Sequence, residues 1–227
     1  MTSLIEKMVA IIAPHYCILC GIENNMLCDN CLLQLADDTH SICYLCEIET
    51  SDGAVCYTCS KQTALQHVWL GGNYDKELSY LIKKFKFGRA QAAARPLARL
   101  IAEQLPQLPA QTIIVPIPTS SARVRQRGYD QSLLLAKEIG RLTSLCVSPL
   151  LARKGSFRQV GASRSQRFAQ ARQSFFVANA QKCQGATILL VDDVTTSGAT
   201  LSAAAEILHE AGAASINAAA VAKQRLK

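Results

Sequence analysis

Eight of the ten cysteines in this 227-residue chain fall into four Cys-x-x-Cys pairs: Cys17/Cys20, Cys28/Cys31, Cys43/Cys46 and Cys56/Cys59. Two residues between cysteines let a tight turn aim both sulfurs at one ion. Two such pairs make a tetrahedral thiolate site of the kind zinc takes. The spacing therefore predicts two structural zinc ions. Sequential pairing is the simplest arrangement; interleaved pairing, first with third and second with fourth, satisfies the same chemistry. Disulfides would need an oxidising compartment. One redox pair does not explain a fourfold repeat, and buried free thiols do not recur at fixed spacing. A segment this short buries too little surface to fold well unaided, so metal is expected to supply much of its folding free energy. With each ligand position filled by sulfur, the expected role is structural or adaptor-like.

Charge divides the chain at the same place. Residues 1–66 hold 2 basic and 8 acidic side chains, against 22 basic and 9 acidic over 67–227. We expect a zinc-binding cysteine-rich domain over 1–66 and a larger domain over 67–227. A basic half of this kind points to phosphates or nucleic acid as ligands. Apolar residues at 49% and charged residues at 18% exclude a disordered polyelectrolyte. Apolar runs such as Met8–Ala13 and Ile188–Val191 fall far short of the roughly 18 residues a membrane helix needs, so no membrane span is expected. Met1–Tyr16 carries Glu6 and no cleavage-site pattern. No secretory signal is expected, and the cytoplasm is the expected location.

From Trp69 onward, helical and strand patterns alternate. Apolar spacing predicts helices over 78–85, 92–105, 130–142 and 202–211, and strands over 112–115, 145–151, 175–177, 187–191 and 215–221. A short helix is also expected after Cys28/Cys31. The basic, polar stretch 153–173, with Gly155 and Gly161, reads as a long loop. The alternation predicts an α/β fold, a mostly parallel sheet flanked by helices, with its ligand at the carboxyl ends of the strands.

The most informative string is Ile188-Leu189-Leu190-Val191-Asp192-Asp193-Val194-Thr195-Thr196-Ser197-Gly198-Ala199-Thr200. Apolar residues end a strand, two carboxylates follow facing solvent, and a hydroxyl-rich loop opens a helix. Backbone N–H groups at a helix N-terminus bind anions. Thr196, Ser197 and Thr200 add hydroxyl donors, and Gly198 admits close backbone approach. The carboxylates can accept bonds from paired ribose hydroxyls, with a divalent ion offsetting their charge beside a polyphosphate. An ordinary N-cap accounts for one hydroxyl and one carboxylate and leaves the rest of the string unexplained. The Gly-Lys-Ser/Thr of a Walker loop is not present.

This string resembles the phosphoribosyl pyrophosphate signature of the type I phosphoribosyltransferases. Val115-Pro116-Ile117-Pro118 followed by Arg125-Gln126-Arg127-Gly128-Tyr129-Asp130-Gln131 resembles the Pro-x-Pro and Arg-Gly-Phe-Asn-Gln motifs of the ComF family, with Tyr129 for Phe and Asp130 for Asn. Arg153, Gln159, Ser163-Arg164 and Arg167 are similar to that family's basic loop, with Gln170-Ala171-Arg172 in place of its Asn-Leu/Val-Arg stretch. The cysteine pairs and Leu81-Ile82-Lys83-Lys84-Phe85-Lys86-Phe87-Gly88 fit the same family. The resemblance runs over nearly the whole chain.

The resemblance implies a phosphoribosyltransferase-like fold. It implies displacement of pyrophosphate from ribose C1 by a nitrogen nucleophile, with Mg²⁺. Asp192 and Asp193 would hold the ribose hydroxyls, and Thr195, Thr196, Ser197, Gly198, Ala199 and Thr200 would cradle the 5-phosphate. Pro118, Thr119 and Arg127 would face the pyrophosphate, with Arg127 and Gln131 alternatively fixing the loop. Arg153, Arg164 and Arg167 would stabilise the leaving group from a flap over 153–167; as solvated surface charge they have a plainer reading. Thr196 stands where purine-type relatives often carry an Asp, which argues against a 6-oxopurine acceptor. The family is linked to DNA uptake and natural transformation, which implies single-stranded DNA and a DNA-uptake or recombination protein as partners. Two competing readings stay open: a phosphoribosyl pyrophosphate or nucleotide sensor without turnover, and a non-enzymatic single-strand adaptor. The acidic cysteine-rich segment should not grip phosphates by Coulomb attraction, which favours a protein partner for it.

Overall fold

The computed structural model describes residues 16–23, 25–37, 41–88, 90–154 and 164–224, with Asp37 and Arg164 described by backbone alone. The strands are Val68–Asn73 (β1), Ile113–Pro116 (β2), Cys146–Val147 (β3), Leu151–Arg153 (β4), Phe175–Val177 (β5), Thr187–Thr195 (β6) and Ser215–Lys223 (β7). The helices are Asp29–Asp37 (α1), Tyr57–Ser60 (α2), Lys76–Phe87 (α3), Ala94–Gln104 (α4), Ser121–Arg127 (α5), Gln131–Thr143 (α6), Arg164–Ser174 (α7) and Ala199–Glu210 (α8). Five strands form one parallel sheet in the order β1-β7-β6-β2-β3, while β4 and β5 make a separate antiparallel pair. The fold is thus the expected mostly parallel sheet flanked by helices.

The sheet is covered on both faces, which is why its central strands are continuous apolar runs. In β6, Leu189 and Val191 face a core built with Leu81 and Phe85 of α3, Leu97 and Leu100 of α4, and Leu135 and Ile139 of α6. Ile188 and Leu190 face the opposite core, with Leu201 and Leu208 of α8 and with Leu151 and Phe175 of the β4–β5 pair. The fully buried Ala218, Ala219, Ala220 and Ala222 of β7 leave room for helices to approach closely. Gly71 does the same in β1: a Cβ there would lie 3.0 Å from backbone atoms of Leu100 and Ile101.

The cysteine-rich segment packs on the edge strand β1, with Gly53 so close that a Cβ there would lie 2.7 Å from Val68 O. Val55 N donates to Gln66 O at 2.8 Å, and Trp69 Nε1 donates to Asp52 at 3.0 Å. Its first half (Cys17, Leu27, Leu32, Ala36) joins the α3/α4/α6 core, helped by the Asp29–Arg99 ion pair. Its second half (Tyr44, Leu65, and Val55 at the margin) joins the α8 core.

Several elements depart from the sequence expectations. β1 was not expected. The expected strand over 145–151 is two short strands, β3 and β4, in different sheets. The turn after Pro118 leads into a helix, α5. The expected loop over 153–173 becomes α7 from Arg164 on, while 155–163 lies outside the described residues. α7 forms because Phe168 and Ala171 pack on the α8 core and Arg172 binds Glu206 at 3.1 Å and Glu210 at 2.6 Å on α8.

Candidate functional site

β2 ends at Pro116, opposite Val191, and Ile117 N donates to Val191 O at 2.9 Å. β6 runs on to Thr195, paired on its other side with β7 as far as Lys223. One edge of β6 therefore opens at Asp192. From β2 the chain goes to β3 on one side and returns to β6 on the other, so this opening is the switch point of the sheet, where α/β ligands bind.

Asp192 and Asp193 occupy it, within the strand and largely enclosed, which corrects the expectation of a solvent-facing pair beyond the strand end. Asp193 is 8% exposed and pairs with Lys86 of α3, Nζ to Oδ1 2.9 Å. Asp192 Oδ1 accepts from Ser132 Oγ of α6 at 3.1 Å and from Asp193 N at 2.8 Å. Burial and the adjacent Asp193 charge push the Asp192 carboxyl up to about 7, against the pull of the Asp193 N–H, Lys86 and Ser132.

The loop after β6 opens α8 as expected. Gly198 is left-handed, φ 74°, and its carbonyl accepts from Ser202 N at 2.9 Å. The N–H groups of a first helical turn have no intrahelical partner and point toward an anion site. Thr196, Ser197 and Thr200 are half-buried around it; Thr195 and Ala199 are buried.

The loop after β2 is fixed by a residue with no role assigned from sequence. Asp130 accepts from Thr119 N and Thr119 Oγ1, both at 3.2 Å, and from Leu133 N at 3.2 Å, capping α6. This holds Pro118 and Thr119 at the N-terminus of α6, whose Ser132 bonds Asp192. Arg127 donates to Gln131 Oε1 at 2.8 Å, with its guanidinium 5.1 Å from the Phe87 ring. Of the three arginines expected on the leaving-group side, Arg153 is brought near the acids. Burial first, then the neighbouring Arg123 charge, hold its guanidinium below its ordinary pKa, while Asp192 pulls the other way. Its Nε is buried without a partner among the described residues. Arg167 is half-buried on α7, with no ion pair to the acids among the described residues. The Arg164 side chain lies outside the described residues.

Lys86 and Ser132 went unassigned in the sequence, although helical spacing carries a signal for both. Lys86 lies four residues after buried Ile82, and Ser132 four before buried Ala136, so each is on the inward side of its helix.

The cysteines assemble into two clusters, Cys17/Cys20/Cys28/Cys31 and Cys43/Cys46/Cys56/Cys59, with all sulfurs of each within 4.8 Å of one another. Pairing is sequential, and the interleaved alternative is set aside. Cys20 and Cys28 Sγ are 3.6 Å apart, as are Cys46 and Cys56 Sγ. A tetrahedral zinc site with bonds of about 2.3 Å has an edge of about 3.8 Å, so these four-thiol sets fit zinc. The two knuckles share one hydrogen-bond pattern: Cys17 N to Ile22 O and Gly21 N to Cys17 O, Cys43 N to Ile48 O and Glu47 N to Cys43 O. Burial opposes the thiolate of Cys43, but backbone N–H groups of Cys46, Cys56 and Leu45 hold its pKa at about 6.

Residues 90–227 match the family model of the phosphoribosyl transferase domain. The chain is 30% identical over 202 residues to competence protein F of Haemophilus influenzae, covering 84% of this chain and 87% of that protein. It is 29% identical over 199 residues to competence protein ComFC of Bacillus subtilis, covering 83% and 80%. Among solved structures, glutamine phosphoribosylpyrophosphate amidotransferase from B. subtilis, in complex with ADP and GMP, aligns with a TM-score of 0.43 and 17% identity. That alignment covers 62% of this chain and spans 30% of the amidotransferase chain.

Proposed function

The chain belongs to the phosphoribosyl transferase domain family, in its ComF-type competence branch, and from that premise we propose that it binds phosphoribosyl pyrophosphate with Mg²⁺ and serves in DNA uptake. The observation that carries this reading is the acid pair at the open edge of β6, followed directly by the Thr196–Thr200 turn at the N-terminus of α8. Asp192 and Asp193 accept the ribose hydroxyls. The α8 N–H groups and the hydroxyls of Thr196, Ser197 and Thr200 take the 5-phosphate. Pro118 and Thr119, locked by Asp130, border the pyrophosphate, and Arg127 and Arg153 supply cationic charge as it departs with the C1–O electron pair. The oxygens of the acid pair suit Mg²⁺, a hard cation, which when bound neutralises pyrophosphate charge.

In this reading residues 1–66 are a zinc domain and 67–227 the phosphoribosyltransferase-like domain. The names of the relatives, competence protein F and ComFC, support work on incoming DNA. The 22 basic side chains against 9 acidic over 67–227 support single-stranded DNA or a DNA-bound protein as partner. No helix among the described residues is long and apolar enough to cross a membrane, and we place the protein in the cytoplasm.

The test is a calorimetric titration of the metal-loaded chain with phosphoribosyl pyrophosphate, with and without Mg²⁺. Saturable binding that tightens with Mg²⁺ is expected. The absence of heat at millimolar ligand would overturn the reading. Binding without pyrophosphate release in the presence of nitrogen acceptors would make the protein a sensor rather than a transferase.

A further inference from the structure

The two residues between the first pair of thiols of the second cluster, Tyr44 and Leu45 in Cys43-Tyr44-Leu45-Cys46, are the residues packed against the phosphate loop. A Cβ placed on Gly198 would lie 2.6 Å from Tyr44 Cε2 and 2.8 Å from Leu45 Cδ2. Tyr44 has no exposed surface. Its hydroxyl shares a 2.7 Å hydrogen bond with Ser202 Oγ in the opening turns of α8 and donates to Thr63 Oγ1 at 2.9 Å. The next residue of the knuckle after Cys46 grips the other side. Glu47 Oε1 pairs with Lys223 Nζ at 2.7 Å, with only 7% of the Lys223 side chain exposed. Lys223 is the register partner of Thr195, where the loop begins.

The knuckle 43–47 therefore touches the loop at Gly198, at Ser202 and, through Lys223, at Thr195. Its shape depends on the cluster. The backbone N–H groups of Leu45 and Cys46 turn inward to the Cys43 sulfur, and four thiolates this close repel one another until a bound cation offsets their charge. Among the described residues the first module packs instead on the α3/α4/α6 face.

We propose that the second four-cysteine cluster, by fixing Tyr44 and Leu45 beneath Gly198, sets the anion-binding shape of the loop, so that metal at this cluster and phosphate ligand at α8 bind cooperatively. Tyr44 is then a positioning residue for the loop. This rests on the reading of that loop as the phosphoribosyl pyrophosphate site. Loss of metal from this cluster loosens the loop, and bound ligand slows that loss.

The experiment uses the full, zinc-loaded chain, with metal content, amide hydrogen exchange over 195–202 and calorimetric affinity for phosphoribosyl pyrophosphate as readouts. Cys46→Ser is expected to lower the metal content from two to one, speed exchange over 195–202 and weaken ligand binding tenfold or more. Tyr44→Phe keeps the ring and the metal but loses the bond to Ser202. It is expected to retain two metal ions while exchange speeds up and affinity falls roughly five- to tenfold. Arg99→Ala, which frees the first module's ion pair with Asp29, is expected to leave loop exchange and affinity at wild-type values. Wild-type loop exchange and affinity in Tyr44→Phe would overturn the proposal, and this variant decides the matter if Cys46→Ser does not fold. An equal effect from Arg99→Ala would also overturn it. If wild type binds no ligand, the site reading and the cooperativity fail with it; faster loop exchange in Tyr44→Phe and Cys46→Ser would still uphold control of the loop's shape by the knuckle.

Discussion

Lys86 Nζ sits 2.9 Å from Asp193 Oδ1, joining the C-terminal turn of α3 to the open edge of β6. The pair is mostly enclosed, with 20% and 12% of the side chains exposed. One ammonium thus serves two adjacent carboxylates, and the proton that Asp192 retains near neutral pH offsets the remaining charge.

Lys86→Met should therefore leave Asp193 enclosed without its cation. A loss of about 1–3 kcal/mol of stability is expected at pH 7, because breaking one side of an enclosed pair strands the other. The loss should shrink at pH 5, where a protonated Asp192 no longer repels the Asp193 charge. Urea unfolding at the two pH values measures this, and equal losses would count against the charge argument.

Asp192 gives the ligand-free protein an unusual pH dependence. Its folded pKa is raised from 3.8 to about 7, so between these values the native state holds a proton that the unfolded chain has released. Stability should then fall as pH rises from about 4 to 7 and level off above. Asp192→Asn should flatten that slope and gain on the order of 1–4 kcal/mol above pH 7. Thermal melts across the range, on both proteins, test the sign directly.

Ligand binding separates the two acids. Asp192→Asn loses charge-assisted bonds of about 1.5–3 kcal/mol and should weaken phosphoribosyl pyrophosphate binding roughly ten- to a hundredfold, with no loss of fold. Asp193→Asn should weaken binding similarly but also cost stability, since Lys86 loses its partner. Calorimetry paired with melts resolves these outcomes.

Elemental analysis of reduced, washed protein is expected to find two zinc ions per chain. Chelation should lower the unfolding midpoint of the whole chain rather than release a separate small transition, because Tyr44 and Leu65 share a core with α8. The single tryptophan, Trp69, bonds to Asp52 across the junction, so its fluorescence reports on this step. Two well-separated transitions would show that the halves fold independently.

The strand-loop-helix at 187–210 was legible because local signals agree: a four-residue apolar run, two acids, a left-handed glycine and a helix. The thiol clusters were legible because residue type and spacing coincide, and only their pairing came from the fold. β1 escaped because Gly71 and Gly72 interrupt its apolar run, whereas Gly71 is there to let the α4 backbone approach. α7 escaped because Arg172 is satisfied by Glu206 and Glu210, 34 and 38 residues away. The partners of the acid pair have the same character: Ser132 is 60 residues from Asp192. Such contacts follow from topology and leave no local pattern.

The strand order has a consequence for how the molecule is made. β7 lies between β1 and β6, yet it is the last described strand to leave the ribosome. Until residues 215–223 emerge, β1 and β6 each present a bare apolar edge with no partner to set its register. The growing chain thus carries a nearly complete set of helices and strands that cannot close, and a nascent polypeptide stopped short of Ser215 is destined for aggregation or a chaperone rather than for a smaller folded protein.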